Sequence, residues 1–172
     1  MSNVYLVGFM GAGKTTVGEA LAARLDWAFV DLDERLTERF GAPISAVFER
    51  QGEIAFRAAE TDELTRAAAA PNVVVATGGG TFCDAANREI IHGSGGVSVF
   101  LDLPWLEIRR RLPGRNLDRP VFGSAEQARE LFERRLPAYR RAMLTVSLSG
   151  DERGAEVADR IVEALEETPC AT

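Results

Sequence analysis

Short apolar runs alternate with longer amphipathic segments along this chain of 172 residues. Short runs that are rich in β-branched residues are typical of strands. Longer segments with apolar residues four apart, such as Val17, Leu21 and Leu25, are typical of helices. The short runs predict strands at 4–8, 27–33, 73–77, 97–103 and 144–148. The longer segments predict helices at 14–25, 33–40, 44–51, 54–70, 84–92, from Pro104, at 125–141 and at 154–167, with a loop at 112–124.

This alternation predicts an α/β fold with a mostly parallel sheet that is covered by helices on both faces. The length is typical of one domain. In such sheets a ligand binds beside the carboxyl ends of the strands. The candidate motifs described below lie at such ends, so they are expected to meet in space.

Composition narrows the classes of function. A net charge of −6 does not favour general binding of nucleic acid. No apolar run approaches the length of a membrane span, and the first strand begins too early to leave room for a secretory leader. We therefore expect a cytosolic protein, and a monomer by default.

We assign no catalytic or ligand-binding role to the two cysteines or to the single histidine. Cys83 and Cys170 lack the spacing of a metal site and favour a reducing compartment. We expect Cys83 to pack as a small apolar residue and Cys170 to lie in a terminal tail. His92, the single histidine, is expected near a helix end where the dipole favours its charge.

The segment GFMGAGKTTVG, residues 8–18, carries the strongest signal of chemistry. Its residues Gly8–Thr15 match the phosphate-binding pattern G-x-x-x-x-G-K-[ST], between a strand and a helix as that pattern requires. Glycines let backbone N–H groups curl around phosphate oxygens. Lys14, the only lysine of the chain, supplies a mobile charge to the β- and γ-phosphates, and the Thr15 hydroxyl suits Mg²⁺. The alternative is a glycine-rich turn that binds no ligand.

Phosphate loops occur in GTPases, in ATPase motors and in small-molecule kinases. A GTPase usually reads guanine with Asn-Lys-x-Asp, which needs a second lysine that this chain lacks. A motor needs an apolar strand that ends in Asp-Glu, whereas Asp102 is followed by Leu103. We interpret Asp102 as a strand-end or cap residue, and a small-molecule kinase is the class that remains.

Two carboxylates end the second predicted strand, where an acceptor could bind. If the strand extends through both Asp31 and Asp33, their side chains point the same way. One could then hold Mg²⁺ through water while the other orients an attacking hydroxyl. The alternative is a strand end followed by a helix cap at Asp33.

Two further features lie on this acceptor side. Arg57 and Glu60 are three apart on a predicted helix and can face each other. They form either an arginine braced toward an anionic substrate or an exposed helix pair. The glycines at 78–80 either let a second ligand approach the backbone or form a turn without a ligand.

Taken together, these motifs resemble the shikimate kinase family over roughly residues 3–165. The resemblance rests on the phosphate loop, DLD (31–33), FRAAE (56–60), GGG (78–80), an Arg-Pro loop in RNLDRP (115–120) and RRLPAYR (134–140), in this order.

The resemblance implies a nucleoside-monophosphate-kinase-like fold, with a five-stranded parallel sheet in the order 2-3-1-4-5. It implies transfer of the γ-phosphoryl of ATP to the 3-hydroxyl of shikimate, a step in aromatic amino-acid biosynthesis. It also implies a single kinase domain at 1–168, with a substrate-binding region at about 33–61, a lid at about 112–124 and a tail at 169–172.

Roles for individual residues follow from the same resemblance. Asp33 would hold the shikimate hydroxyls and orient or deprotonate the attacking one, and it would be catalytic together with Lys14 and the lid residue Arg119. Asp31 and Thr15 would hold Mg²⁺. The shikimate site would comprise Asp33, Phe48, Phe56, Arg57, Glu60, Gly78, Gly79, Gly80 and Arg135, with Arg57 and Arg135 on the carboxylate. The ATP site would comprise Gly11, Ala12, Gly13, Lys14, Thr15, Thr16, Arg111, Arg119 and Arg153.

The adenine contacts match the family pattern loosely. An arginine before the lid should pack on adenine, and Arg109, Arg110 and Arg111 compete for this role, with the spacing in favour of Arg111. Arg153 is a candidate in an adenine loop around 149–154. Arg115 is an additional lid arginine that either assists or is solvated.

Two alternatives to shikimate kinase stay open. The first is another small-molecule kinase of the same fold, for gluconate or a nucleoside monophosphate. The second is a nucleotide-binding protein without kinase activity. The residues that discriminate between them are those of the acceptor side.

Overall fold

The structure is a computed structural model that describes residues 3–112 and 124–167. Its centre is one five-stranded sheet in which all neighbouring strands are parallel. The strand order β2-β3-β1-β4-β5 confirms the order 2-3-1-4-5. The strands are β1 (Asn3–Val7), β2 (Ala28–Asp31), β3 (Val73–Ala76), β4 (Val97–Asp102) and β5 (Leu144–Ser147).

Helices connect the strands and cover both faces of the sheet. They are α1 (Lys14–Leu25), α2 (Leu32–Phe40), α3 (Ile44–Ala69), α4 (Ala85–Gly93), α5 (Trp105–Arg111), α6 (Ala125–Tyr139) and α7 (Gly154–Glu167), with a short 3₁₀ helix at Thr81–Cys83. No helix in the described ranges is long and apolar enough to cross a membrane.

The main core lies around the middle strand β1. The β1 residues Val4, Tyr5, Leu6 and Val7 are fully buried, as expected for a strand with a helix layer on each face. A second, smaller core of Leu36, Val47, Phe56 and Ala59 joins α2 to α3. This smaller core lies within the predicted substrate-binding region and supports it separately.

One prediction about the second strand is wrong. Asp31 and Asp33 do not share an extended strand, because β2 ends at Asp31 and Asp33 lies in the first turn of α2. The helix cap is Asp31 rather than Asp33, since the Asp31 carboxylate accepts hydrogen bonds from the backbone N–H groups of Asp33 (2.9 Å) and Glu34 (3.3 Å).

Other boundaries shift by small amounts. The helices predicted at 44–51 and 54–70 form the single element α3, which leaves helical geometry at Gly52 (φ 80°). The 3₁₀ helix after the three glycines was not predicted. His92 lies in the last turn of α4 and Cys83 packs against the main core, both as predicted. Cys170 lies outside the described residues.

Candidate active site

The phosphate loop joins β1 to α1. Gly13 caps α1 with a φ of 94°, a left-handed conformation that glycine adopts without strain. The Lys14 Nζ donates hydrogen bonds to the carbonyl oxygens of Gly8 (2.9 Å) and Phe9 (3.1 Å), so its ammonium group lies within the curve of the loop. The loop opens onto a cavity of about 540 Å³ lined by Met10, Gly11, Gly13, Lys14, Thr15, Thr16, Asp31, Asp33, Ala76, Thr77, Gly79 and Arg111.

Thr15 and Asp31 meet at the edge of this cavity. The Thr15 hydroxyl donates to the Asp31 carboxylate at 2.6 Å, although the two residues belong to different elements. Hydroxyl and carboxylate oxygens are the donors that Mg²⁺ prefers. Within residues 3–112 and 124–167 there is no cluster of three or more acidic, histidine or cysteine side chains for a metal. A magnesium ion here would take its other ligands from phosphate and water.

A second cavity lies beside the first and contains the acceptor-side residues. It is lined by Met10, Asp33, Ile44, Ser45, Phe48, Phe56, Arg57, Glu60, Gly78, Gly79, Gly80 and Arg135. Met10, Asp33 and Gly79 line both cavities, so the two adjoin. The structure therefore brings the predicted shikimate residues together, next to the phosphate loop.

The pair Arg57 and Glu60 is not an exposed helix pair. The Glu60 side chain is 1% exposed and accepts a hydrogen bond from the Arg57 guanidinium at 2.7 Å. Its other carboxylate oxygen accepts from the Thr81 hydroxyl at 2.6 Å. Burial lowers the pKa of Arg57, but the carboxylates of Glu60 and Glu53 raise it by more, so its net pKa shift is upward. Arg57 is thus a fixed cation that faces the cavity.

The three glycines each lie against a different charged side chain. A methyl group on Gly78 would lie 2.6 Å from the Glu60 carboxylate, and one on Gly79 would lie 3.1 Å from the Arg135 guanidinium. A methyl group on Gly80 would lie 2.6 Å from the Arg57 guanidinium. The glycines therefore leave space for the side chains of the cavity, which explains their number.

Arg135 reaches the cavity from α6. Its guanidinium carbon lies 5.9 Å from the centre of the Phe9 ring, a distance typical of a cation–π contact. Across the cavity, Phe48 and Phe56 form a tilted pair with ring centres 4.5 Å apart. The predicted walls and the two predicted arginines thus lie around one space.

The three candidate arginines before the lid are separated by the structure. Arg111 donates to the Gly11 carbonyl at 3.0 Å and to the Gly150 carbonyl at 2.7 Å, so it bridges the phosphate loop and the loop before α7. Arg110 instead pairs with Glu107 on its own helix. Arg109 lies away from the phosphate loop, in a groove with Trp105. Of these three arginines, Arg111 is the one that contacts the phosphate loop.

A third cavity continues from the phosphate loop toward α7. It is lined by Ala12, Gly13, Thr16, Val17, Arg111, Leu148, Glu152, Gly154 and Val157. Arg153 does not line it, since its side chain is 83% exposed and pairs with Glu156 at 2.9 Å. The structure therefore does not place Arg153 against this cavity.

Glu152 organises the loop before α7. Its carboxylate accepts hydrogen bonds from the backbone N–H groups of Ser149 (2.8 Å) and Gly150 (2.9 Å). These bonds lower the pKa of Glu152 to about 2, because they stabilise its charged form. Glu152 was not predicted as a site residue, and no motif in the sequence indicates it.

Three further residues of the cavities were not predicted: Ile44 and Ser45, which begin α3, and Met10, which lies inside the phosphate loop. Two residues behind the acceptor cavity were also not predicted, namely Thr81, which contacts Glu60, and Tyr139, which contacts Gly79. Thr81 directly follows the three glycines, and Tyr139 follows Arg135 by one helical turn, so proximity to known motifs could have indicated both. The predicted lid residues Arg115 and Arg119 lie outside the described residues.

Comparison with known proteins decides the family. The profile of shikimate kinase matches residues 10–166 of this chain. The chain belongs to the shikimate kinase family. The shikimate kinase of Nostoc punctiforme is 37% identical over 166 residues, which is 95% of this chain and 90% of that protein. The shikimate kinase of Thermoanaerobacter pseudethanolicus is 36% identical over 95% of this chain and 96% of its own length.

Solved structures of shikimate kinases agree with the fold. The Acinetobacter baumannii shikimate kinase, which was solved in complex with shikimate, superposes with a TM-score of 0.89 at 35% identity. That match covers 96% of this chain and 93% of the other. A gluconokinase from Sinorhizobium meliloti reaches a TM-score of 0.53 at 19% identity, which shows a shared fold alone.

Proposed function

We propose that the chain transfers the γ-phosphoryl of ATP to the 3-hydroxyl of shikimate, giving shikimate 3-phosphate and ADP in aromatic amino-acid biosynthesis. Its membership of the shikimate kinase family supports this reaction. The observation that carries it is that two cavities adjoin at Met10, Asp33 and Gly79, one beside the phosphate loop and one with two arginines. A bound acceptor would therefore meet the terminal phosphate of a bound nucleotide.

The acceptor cavity suits a small acid with a ring. Arg57 and Arg135 are planar cations that can each form paired hydrogen bonds to a carboxylate. Phe48 and Phe56 offer apolar surface to the ring. A carboxylate bound between two cations also offsets the charge repulsion that the cations would otherwise exert on each other.

Asp33 lies where the two cavities meet, so we assign it to the reacting hydroxyl. Its carboxylate accepts a hydrogen bond from the 3-hydroxyl, which aims an oxygen lone pair at the γ-phosphorus. As the new P–O bond forms, the bond from the γ-phosphorus to the bridging oxygen breaks and ADP leaves. The hydroxyl proton passes to Asp33. Lys14 stabilises the charge that develops on the β- and γ-phosphates.

Mg²⁺ is the cofactor that the Thr15 and Asp31 oxygens would hold. The ion would neutralise charge on the β- and γ-phosphates. The 2.6 Å contact between the Thr15 and Asp31 oxygens already brings the two protein donors together. Arg119, with Lys14 and Asp33, is proposed to act on the transferring phosphoryl from a lid at about 112–124, most of which lies outside the described residues.

Adenine is proposed to lie in the third cavity, against Arg111. The remaining predicted ATP contacts, apart from Arg119 and Arg153, lie in the phosphate loop and the first turn of α1. We propose that the chain acts as a monomer in the cytosol, as a single kinase domain at 1–168 with a tail at 169–172.

A coupled assay of ADP release tests the substrate. The purified chain is given MgATP with shikimate, gluconate or each nucleoside monophosphate in turn. Among these acceptors, we expect turnover only with shikimate. Turnover of gluconate but not shikimate would show another kinase of the same fold, and absence of turnover with every acceptor would favour a nucleotide-binding protein without kinase activity.

Two variants test the acceptor cavity. Asp33→Asn should mainly lower kcat, because it removes the proton acceptor. Arg57→Ala should mainly raise the KM for shikimate, because the substrate loses roughly 2–3 kcal/mol of binding free energy with one charged hydrogen bond. Arg66→Ala is the matched control, since Arg66 also pairs with a glutamate three positions away on α3 but is 69% exposed. Unchanged kinetics in both cavity variants would show that the site is assigned wrongly.

A further inference from the structure

We propose that Tyr139 is a positioning residue for the carboxylate end of the acceptor site, acting through the Gly79 carbonyl, which lies beside the Arg135 guanidinium. This inference rests on the proposed function, because it assigns a role within the same site. Tyr139 does not line the acceptor cavity itself. Its effect on a substrate must therefore pass through the groups that it holds.

Tyr139 is held rigidly behind the cavity. Its side chain is fully buried at the end of α6, and its ring stacks on Phe100 with ring centres 5.4 Å apart and planes 30° apart. The phenol donates a hydrogen bond to the Gly79 carbonyl at 2.5 Å. A buried phenol needs such a partner, and here the partner is the backbone carbonyl of a glycine that lines the acceptor cavity.

The hydrogen bond to the Gly79 carbonyl fixes the direction of the Gly80 N–H group. The peptide between Gly79 and Gly80 is planar and trans, so the Gly80 N–H points away from the anchored carbonyl and from Tyr139. Glycines restrict the backbone less than other residues do. The phenol therefore supplies a restraint that the sequence Gly-Gly lacks.

Arg135 approaches the same glycine. It precedes Tyr139 by one turn of α6. The Arg135 guanidinium lies 3.1 Å from the place that a Gly79 side chain would occupy, and the Tyr139 hydroxyl lies 3.9 Å from that place. Burial raises the pKa of Tyr139 far above its usual value, so the phenol keeps its proton at neutral pH. The phenol and the guanidinium therefore meet the turn at the same residue.

Tyr139→Phe removes this hydroxyl and keeps the ring that stacks on Phe100. The chain offers a matched control, because its only other tyrosine, Tyr5, is also fully buried and its phenol hydrogen-bonds Ser94 at 3.2 Å, on a different part of the sheet. Each variant loses one buried phenol hydroxyl, so a general loss of packing or stability should appear in both.

We expect Tyr139→Phe to raise the KM for shikimate about five-fold, the effect of one lost hydrogen bond. Its kcat and its KM for ATP should stay within about two-fold of the wild-type values. Tyr5→Phe should leave all three parameters unchanged. The proposal is overturned if the KM for shikimate does not rise, or if the three parameters change together in Tyr139→Phe.

A second measurement does not need Tyr139→Phe to fold. With 3-fluorotyrosine at both tyrosines, the ¹⁹F NMR spectrum of the native fold has two signals, and Tyr5→Phe assigns them. Saturating shikimate should shift the Tyr139 signal and leave the Tyr5 signal in place. An unmoved Tyr139 signal contradicts the proposal. The wild-type assay with shikimate reports separately on the proposed function, so failure of one inference is not confused with failure of the other.

Discussion

At the scale of the residue, the single lysine is the position where the chemistry tolerates least change. Nineteen arginines occur in the chain, yet the loop keeps Lys14. The structure places its ammonium group within 3.1 Å of two loop carbonyls, in a space bounded by backbone. A compact ammonium fits such a space, whereas a planar guanidinium is wider and has more N–H groups that need hydrogen-bond acceptors.

Lys14→Arg keeps the charge and should still lower kcat by about 100-fold, because the larger group displaces the phosphates from their line of transfer. Steady-state kinetics with shikimate and MgATP measure the loss. Arg24→Lys is the control, since it exchanges the same two residue types on α1 at an exposed ion pair with Asp159. Near-normal kcat in Lys14→Arg would mean that the lone lysine is an accident of composition.

Residue-scale predictions from sequence succeed where spacing alone decides a contact. Arg57 and Glu60 were expected to face each other, and they do, at 2.7 Å. The sequence could not predict whether Asp31 and Asp33 share a strand, because this depends on the residue at which β2 ends and α2 begins. A shift of one or two residues in that boundary decides which carboxylate caps the helix.

At the scale of the element, the glycines in the turn after β3 leave the space that the charged side chains of the acceptor site occupy. Gly80 has ordinary right-handed backbone angles, with φ −102° and ψ −16°, so alanine meets no backbone strain there. The added methyl group would instead approach the Arg57 guanidinium to 2.6 Å. The effect of a substitution at Gly80 should therefore fall on the arginine rather than on the fold.

Gly80→Ala should raise the KM for shikimate by about ten-fold or more, as Arg57 loses its position and part of a charged hydrogen bond. The KM for ATP should stay unchanged. Gly93→Ala is the control, because a methyl group on Gly93 meets nothing within 4 Å. Equal KM values for shikimate in the two variants would contradict the close approach of Arg57 to this turn.

The loop before α7 depends on one ionised carboxylate. The pKa of Glu152 is about 2 in the folded chain, below its ordinary value of 4.5, because the Ser149 and Gly150 N–H groups bind the charged form. A lowered pKa stabilises the fold above pH 4.5, and this stabilisation is lost as the pH falls from about 4.5 to about 2.

Glu152→Gln should therefore lower the Tm at pH 7, and its difference from the wild type should shrink as the pH falls through this window. It should also raise the KM for ATP, since Glu152 lines the cavity assigned to adenine. Thermal melts between pH 7 and pH 3 measure the first effect. Glu166→Gln, at an exposed position of α7, is the control. A constant Tm difference over this range would show that the carboxylate charge does not hold the loop.

At the scale of the whole molecule, the fold brings segments far apart in sequence to one edge of the sheet. The strand pattern predicts a parallel α/β sheet, and the family resemblance supplies its order, which the structure confirms. The positions of Thr81 and Tyr139 next to known motifs could have indicated them, but their contacts to Glu60 and Gly79, and the role of Glu152 in its loop, could not be predicted. Their roles depend on packing between elements, which leaves no periodicity or motif in a single sequence.

The central claim is that the two adjoining cavities place a shikimate hydroxyl against the terminal phosphate of ATP. Identification of the product tests this most directly: the purified chain is incubated with MgATP and shikimate, and the product is examined by ³¹P and ¹³C NMR. We predict a single new phosphate ester, coupled to the carbon that bears the 3-hydroxyl. A phosphate on another hydroxyl, or ADP formed with no phosphorylated shikimate, would contradict the account.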